Sequence, residues 1–212
     1  MTSTDAELHA GPAGSRERNA GIDTALERNR AFAARGGHEG ASMFPSLRLL
    51  VVTCLDPRVD PAHVLGLELG DAMVIRNGGG RVTPEVIDHI AFVGQLAAQA
   101  VPDGPLFEVA VIHHTGCGSA ALARDDFRRS YAQQIGADEA TLRDQAVLDP
   151  ATTVASDVVR LRLAEPLSPR IGCGIVQSAV VVQHAMAGQV DQQLITGVPV
   201  STEILDPLLH FS

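Results

Sequence analysis

The groups most able to do chemistry in this chain sit in two short motifs, Cys54-Leu55-Asp56-Pro57-Arg58 and His114-Thr115-Gly116-Cys117-Gly118. The first offers a thiol, a carboxylate and a guanidinium at alternate positions. The second places an imidazole three residues before a thiol. Thiolates and imidazole are the ligands zinc prefers, and a set of three leaves one tetrahedral position open. An open position holds water, which points to Lewis-acid chemistry or hydroxide delivery. Two thiolates neutralise the dication and make it a weaker acid than three histidines would, so a helper group is expected. Asp56 is the candidate: it can accept the hydrogen bond of a bound hydroxide, with Arg58 holding it ionised and oriented. Plainer readings exist for the same residues. A cysteine at a strand end is usually a small buried apolar residue, and an Asp-x-Arg pair is usually a structural ion pair. Cys54 and Cys117 could also form a redox pair, which would leave His114 and Asp56 without a task.

The elements around these motifs must bring them together. The apolar run Leu47 to Thr53 reads as a buried strand ending at Cys54, and Phe107 to Ile112 as another ending at His113-His114. Chemistry in α/β domains gathers just beyond the carboxyl ends of such strands, and two parallel strands ending side by side would join Cys54, His114 and Cys117. Asp60 reads as the N-cap and Pro61 as the first residue of a short helix that Gly70 ends. A strand over Ala72 to Ile75 runs into Arg76-Asn77-Gly78-Gly79-Gly80. These glycines permit a tight turn or a close backbone approach, with Gly79 and Gly80 the candidate substrate-binding positions. Their spacing lacks the Gly-x-Gly-x-x-Gly pattern of a dinucleotide site. A long helix is expected from Pro84 to about Ala100, with apolar positions Val86, Ile87, Ile90, Val93 and Leu96. A further helix should start at Ser119, and residues 125–163 should be mostly helical with breaks at Gly136 and Asp149-Pro150. Ala179 to Val182 reads as a fourth strand, and Val190 to Ile195 as a short one. Strands alternating with helices predict a mainly parallel central β-sheet flanked by helices, an α/β fold. Residues 1–14 read as a flexible terminus and 15–212 as a single zinc-binding domain with an N-terminal helical arm over 15–34.

Bulk properties narrow the function further. The chain has 212 residues, net charge -9 and 3% aromatic content. That opposes attraction to phosphate backbones and gives no stacking platform, so no nucleic-acid partner is expected. All 16 basic residues are arginine, which excludes Schiff-base and phosphate-loop lysines. Three cysteines do not form a disulfide framework and suit a reducing compartment. No stretch is long and apolar enough to span a membrane, and Met1 to Arg16 lacks a secretory signal's apolar segment, so a cytoplasmic location is expected. His113 should face away from its neighbour His114. Cys173 reads as a small buried residue, and His63 and His89 as solvated helix residues.

Taken in order, Cys54-Leu-Asp-Pro-Arg58, Asp60-Pro61, Gly70-Asp-Ala-Met-Val-Ile-Arg76-Asn-Gly-Gly79 and His114-Thr-Gly-Cys117-Gly118 resemble the β-class carbonic anhydrases. The resemblance runs well over Leu47 to Leu122 and loosely over the last strand. It implies zinc on Cys54, His114 and Cys117, with Asp56 and Arg58 as the catalytic dyad. It implies zinc hydroxide attack on CO2 to give bicarbonate, and in some members the aspartate swings onto the metal and closes the site. Relatives of the same fold hydrolyse carbonyl sulfide or carbon disulfide, and a non-catalytic zinc-binding regulator is a further alternative. The resemblance also implies a homodimer or homotetramer, with the N-terminal helix embracing the partner. Gly78 stands where the family usually has Ala, Gly116 where many relatives carry Asp, and residues 125–168 match no family motif.

Overall fold

The β-branched and aliphatic run Leu49–Cys54 forms β1, and every residue after Leu49 is buried. This computed structural model describes residues 20–100, 106–164 and 175–182. β1 lies inside a four-stranded sheet of order β2-β1-β3-β4, with β2 at Ala72–Asn77, β3 at Glu108–His114 and β4 at Ile175–Val182. All its pairings are parallel. Leu50 and Val52 of β1 share a core with Val109 and Val111 of β3. Helices α3 (Pro84–Ala100) and α6 (Pro150–Arg162) close that face through Val86, Ile90, Val154, Val158 and Leu161. On the other face, Val51 and Ile112 pack with Leu65 and Leu67 from the loop after α2 (Pro61–Val64). The alternation of a β-strand places β3 residues of odd number against α6 and those of even number away from it.

Several boundaries differ from the sequence reading for local reasons. β1 begins at Leu49 and not at Leu47, because Arg48 takes a positive φ of 48° and its N–H turns back to the Pro45 carbonyl at 3.0 Å. α2 stops at Val64 and not at Gly70, and Gly66 beyond it takes φ 65°. β2 runs on through Asn77 and β3 through His114, so both strands carry their motifs within the sheet. At Ser119 there is no α-helix but a 3-10 stretch, Gly118–Ala123, followed by α4 (Asp125–Ile135) and α5 (Glu139–Asp144). The expected breaks at Gly136 and Asp149-Pro150 are present: Gly136 ends α4 in the left-handed conformation, and Asp149 caps α6 with Pro150 at its first turn. Leu96, expected on the apolar stripe of α3, is 37% exposed.

The chain divides into two units, Met1–Ala41 and Ser42–Ser212. In the first, α1 (Ala20–Ala34) is followed by Gly36 at φ 68°, and Arg35 lies over the Phe32 ring at 5.4 Å. Ile22 and Leu26 of this helix are exposed. Residues 1–19, Cys173 and the short strand expected at 190–195 lie outside the described residues.

Candidate metal centre

Cys54 is the last residue of β1 and His114 the last of β3, its direct neighbour in the sheet. The turn after β3 returns Cys117, so one potential ligand atom from each of the three residues lies within 4.8 Å of the others. All three are buried, at 5%, 0% and 4% exposure, with Val59 and Val147 packed around the sulfurs. The sulfurs stand 3.7 Å apart, too far for a disulfide. Two zinc–sulfur bonds of about 2.3 Å at a tetrahedral angle place their sulfurs about 3.8 Å apart, so the donor set fits such an ion. The Nδ1 of His114 lies 3.0 Å from the Thr115 carbonyl. A carbonyl only accepts, so Nδ1 carries the hydrogen and Nε2 keeps the lone pair that a metal would take.

The electrostatics of the sulfurs point the same way. The Cys117 side chain and the Asp56 and Gly79 N–H groups draw the Cys54 thiol down against the opposing effect of burial. The Cys54 sulfur beside it, together with burial, pushes Cys117 up. Ionising both at once requires a positive charge between them, which a dication supplies.

Asp56 leaves β1 as the cap of a 3-10 turn, Pro57–Val59. Its carboxylate accepts from Arg58 Nε at 2.8 Å, Nη2 at 2.6 Å and the backbone N at 2.9 Å. These bonds hold it well below the usual carboxylate range. Oδ2 lies 4.0 Å from His114 Nε2, so the carboxylate borders the cluster while engaged with Arg58. Arg58 Nη2 also donates to the Gly116 carbonyl at 3.0 Å, joining the two motifs.

A cleft of about 700 Å³ opens at the cluster, with Cys54, Asp56, Asn77, Gly79, Ser119 and Tyr131 among its lining. Gly79 borders it at φ 90°. Gly80 is buried against the strands: a Cβ there would meet Ile112 O at 2.8 Å and Cys54 N at 2.9 Å. His113 turns toward α6, with Thr153 Oγ1 at 2.8 Å and the Gly80 carbonyl at 3.1 Å. His63 and His89 are exposed.

Residues without a sequence-assigned role also build the centre. Arg76 donates to the Cys54 carbonyl at 3.0 Å, the Asp56 carbonyl at 2.7 Å and Asp60 Oδ2 at 2.8 Å, stapling the whole first motif to β2. Asn77 closes the glycine turn, accepting from Arg81 N at 2.9 Å and donating to its carbonyl at 2.8 Å. Their position at the carboxyl end of a strand beside Cys54 was the available signal; register pairs Cys54 with Asn77.

A family model described as carbonic anhydrase matches residues 49–159, more than half of the chain. This chain belongs to the β-carbonic anhydrase family. Beta-carbonic anhydrase 1 of Mycobacterium tuberculosis (strain H37Rv) is 36% identical over 108 residues, 51% of this chain and 62% of that protein. A carbon disulfide hydrolase of Acidianus sp. (strain A1-3) is 32% identical over 110 residues, 52% of this chain and 49% of that protein. The chain thus spans less than two thirds of the curated β-carbonic anhydrase relatives it matches. Among solved structures, the carbonic anhydrase from Streptococcus mutans is similar at a TM-score of 0.59 and 29% identity, covering 76% of this chain and 91% of that one. The match spans β1 through most of α6, and so includes Cys54, His114 and Cys117 together with Asp56 and Arg58.

Proposed function

We propose that this chain is a zinc enzyme that reversibly hydrates carbon dioxide to bicarbonate. The observation that carries the reading is the buried Cys54–His114–Cys117 set bordered by a carboxylate that Arg58 holds in place. Zinc bound by these three residues would supply a Lewis acid able to ionise water near neutral pH. Asp56, kept ionised by Arg58, accepts the hydrogen bond of the attacking water and directs its lone pair toward the substrate carbon. Gly79 lines the cleft with Cys54 and Asp56, where a small linear substrate would approach the cluster. Bicarbonate leaves through the cleft, and the released proton passes to buffer.

A second reading, hydrolysis of carbonyl sulfide or carbon disulfide on the same residues, is favoured by the similarity to the carbon disulfide hydrolases. We also propose a homodimer or homotetramer, supported by the exposure of Leu55, Val74 and Phe92 at 62%, 44% and 62%. Stopped-flow CO2 hydration on protein of measured zinc content tests the primary reading, with both sulfur substrates assayed on the same batch. Hydration that rises with zinc occupancy is expected. Consumption of a sulfur substrate with negligible CO2 hydration would favour the second reading, and inertness toward all three at full zinc would mean a non-catalytic protein.

A further inference from the structure

The two cluster sulfurs are not treated alike by their surroundings. Cys54 receives main-chain donors, the N–H groups of Asp56 and Gly79. Cys117 receives a side chain as well: Ser119 Oγ lies 3.2 Å from its sulfur. The direction of that bond follows from a third group. Val147 N–H donates to Ser119 Oγ at 3.3 Å. An amide N–H only donates, so the serine oxygen accepts there and its own hydrogen is left for the sulfur. A metal-bound thiolate carries no hydrogen and can only accept. The slot for the hydroxyl is tight as well as polar. A Cβ on Gly79 would come within 2.9 Å of Ser119 Oγ and 3.2 Å of Val147 Cγ2, so the glycine turn leaves just the room this hydroxyl uses.

We propose that Ser119 is a positioning residue that tunes the metal through Cys117, its hydroxyl drawing charge off the sulfur. A hydrogen bond to a thiolate lowers the energy of the sulfur lone pairs and weakens their donation to a bound cation. That offsets the acidity lost to a second thiolate ligand, and it supports chemistry nearer neutral pH. The inference rests on the proposed metal reading of Cys54, His114 and Cys117.

The test is the thiolate-to-metal charge-transfer absorption of the full chain loaded with cobalt(II), alongside the pH profile of CO2 hydration by the zinc form. In Ser119→Ala the band should move to lower energy at unchanged cobalt stoichiometry. Hydration should fall about tenfold near neutral pH, the usual effect of losing a group that supports a ligand, and recover on the alkaline side. Ser119→Thr keeps the hydroxyl and should return the band toward that of the unaltered protein. An unmoved band in Ser119→Ala would overturn the proposal. So would loss of cobalt in that variant without recovery in Ser119→Thr, which would make Ser119 a structural spacer. Absence of any charge-transfer band in the unaltered protein would instead defeat the metal reading itself. The spectrum decides the role of Ser119 whichever substrate the protein turns over.

Discussion

In the proposed mechanism Asp56 is the central residue, and its neighbours define what it can do. Arg58 occupies both carboxylate oxygens, and a two-point guanidinium pair fixes orientation as well as charge. The Arg58 side chain is half exposed, so the pair matters for geometry more than for folding energy. Replacing Asp56 with alanine should therefore leave about one zinc per chain while CO2 hydration falls about a hundredfold, the upper end for a supporting group. Zinc analysis by atomic absorption beside stopped-flow rates checks this. Zinc lost in parallel with rate would make Asp56 a ligand, and the dyad reading would fail.

The elements meet the centre through two devices, one steric and one ionic. Gly80, at φ 68°, lets the turn after β2 lie on the backbones of β1 and β3, where a Cβ would strike Ile112 O, Cys54 N and Thr53 C within 2.9 Å. Those atoms belong to the strands that present Cys54 and His114, so they cannot give way alone. Gly80→Ala should cost more than the about 1–2 kcal/mol of left-handed backbone strain and should lower metal content. Gly136→Ala has the same φ sign at 67° but open space around it, and should show the strain alone in urea unfolding.

The ionic device is Asp157 of α6, fully buried. It accepts from Arg81 Nε at 2.7 Å and Nη2 at 2.9 Å, from Val82 N at 2.9 Å and from Arg160 Nη1 at 3.1 Å. His113 Nε2 lies 3.4 Å away. Burial raises its pKa, but His113, Arg81 and the Val82 N–H outweigh that and lower it to about 2. A folded pKa below the unfolded one stabilises the fold above about pH 4, and that contribution is lost as pH falls toward 2. It amounts to about 2 kcal/mol. Urea unfolding from pH 6 to pH 3 should show about half of this loss, about 1 kcal/mol, and Asp157→Asn should flatten it. At neutral pH Asp157→Ala should cost about 3–5 kcal/mol, because Arg81 is left buried without its partner.

At the scale of the molecule, the proposed metal binding would couple to folding. The three candidate ligands come from two strands and the turn after one of them, and only the folded chain gathers them, so a bound metal would stabilise the native state. A hundredfold excess over the dissociation constant is worth about 2.7 kcal/mol. At about 2–4 °C per kcal/mol for a chain of this size, a chelator should lower Tm by about 5–10 °C in calorimetry. Cys54→Ser should show little further fall on chelation. A chelator-insensitive Tm in the unaltered protein would count against a resident metal.

What the amino-acid order determined by itself was local. The runs Leu47 to Thr53 and Phe107 to Ile112 read as strands that lead into the two motifs, Asp60 reads as a cap before Pro61, and Asp149-Pro150 as a helix break. The parallel α/β fold and the family follow from those short-range patterns. Tertiary structure alone decided which residues support the ligands. Arg81 and Asp157 meet across 76 positions, Arg76 reaches back 22 to the Cys54 carbonyl, and Val147 crosses 28 to orient the Ser119 hydroxyl. No periodicity or spacing encodes such pairs. They exist because helix α6, the glycine turn and the strand ends pack into one volume, and a buried polar group there must find its partner wherever the chain has brought one.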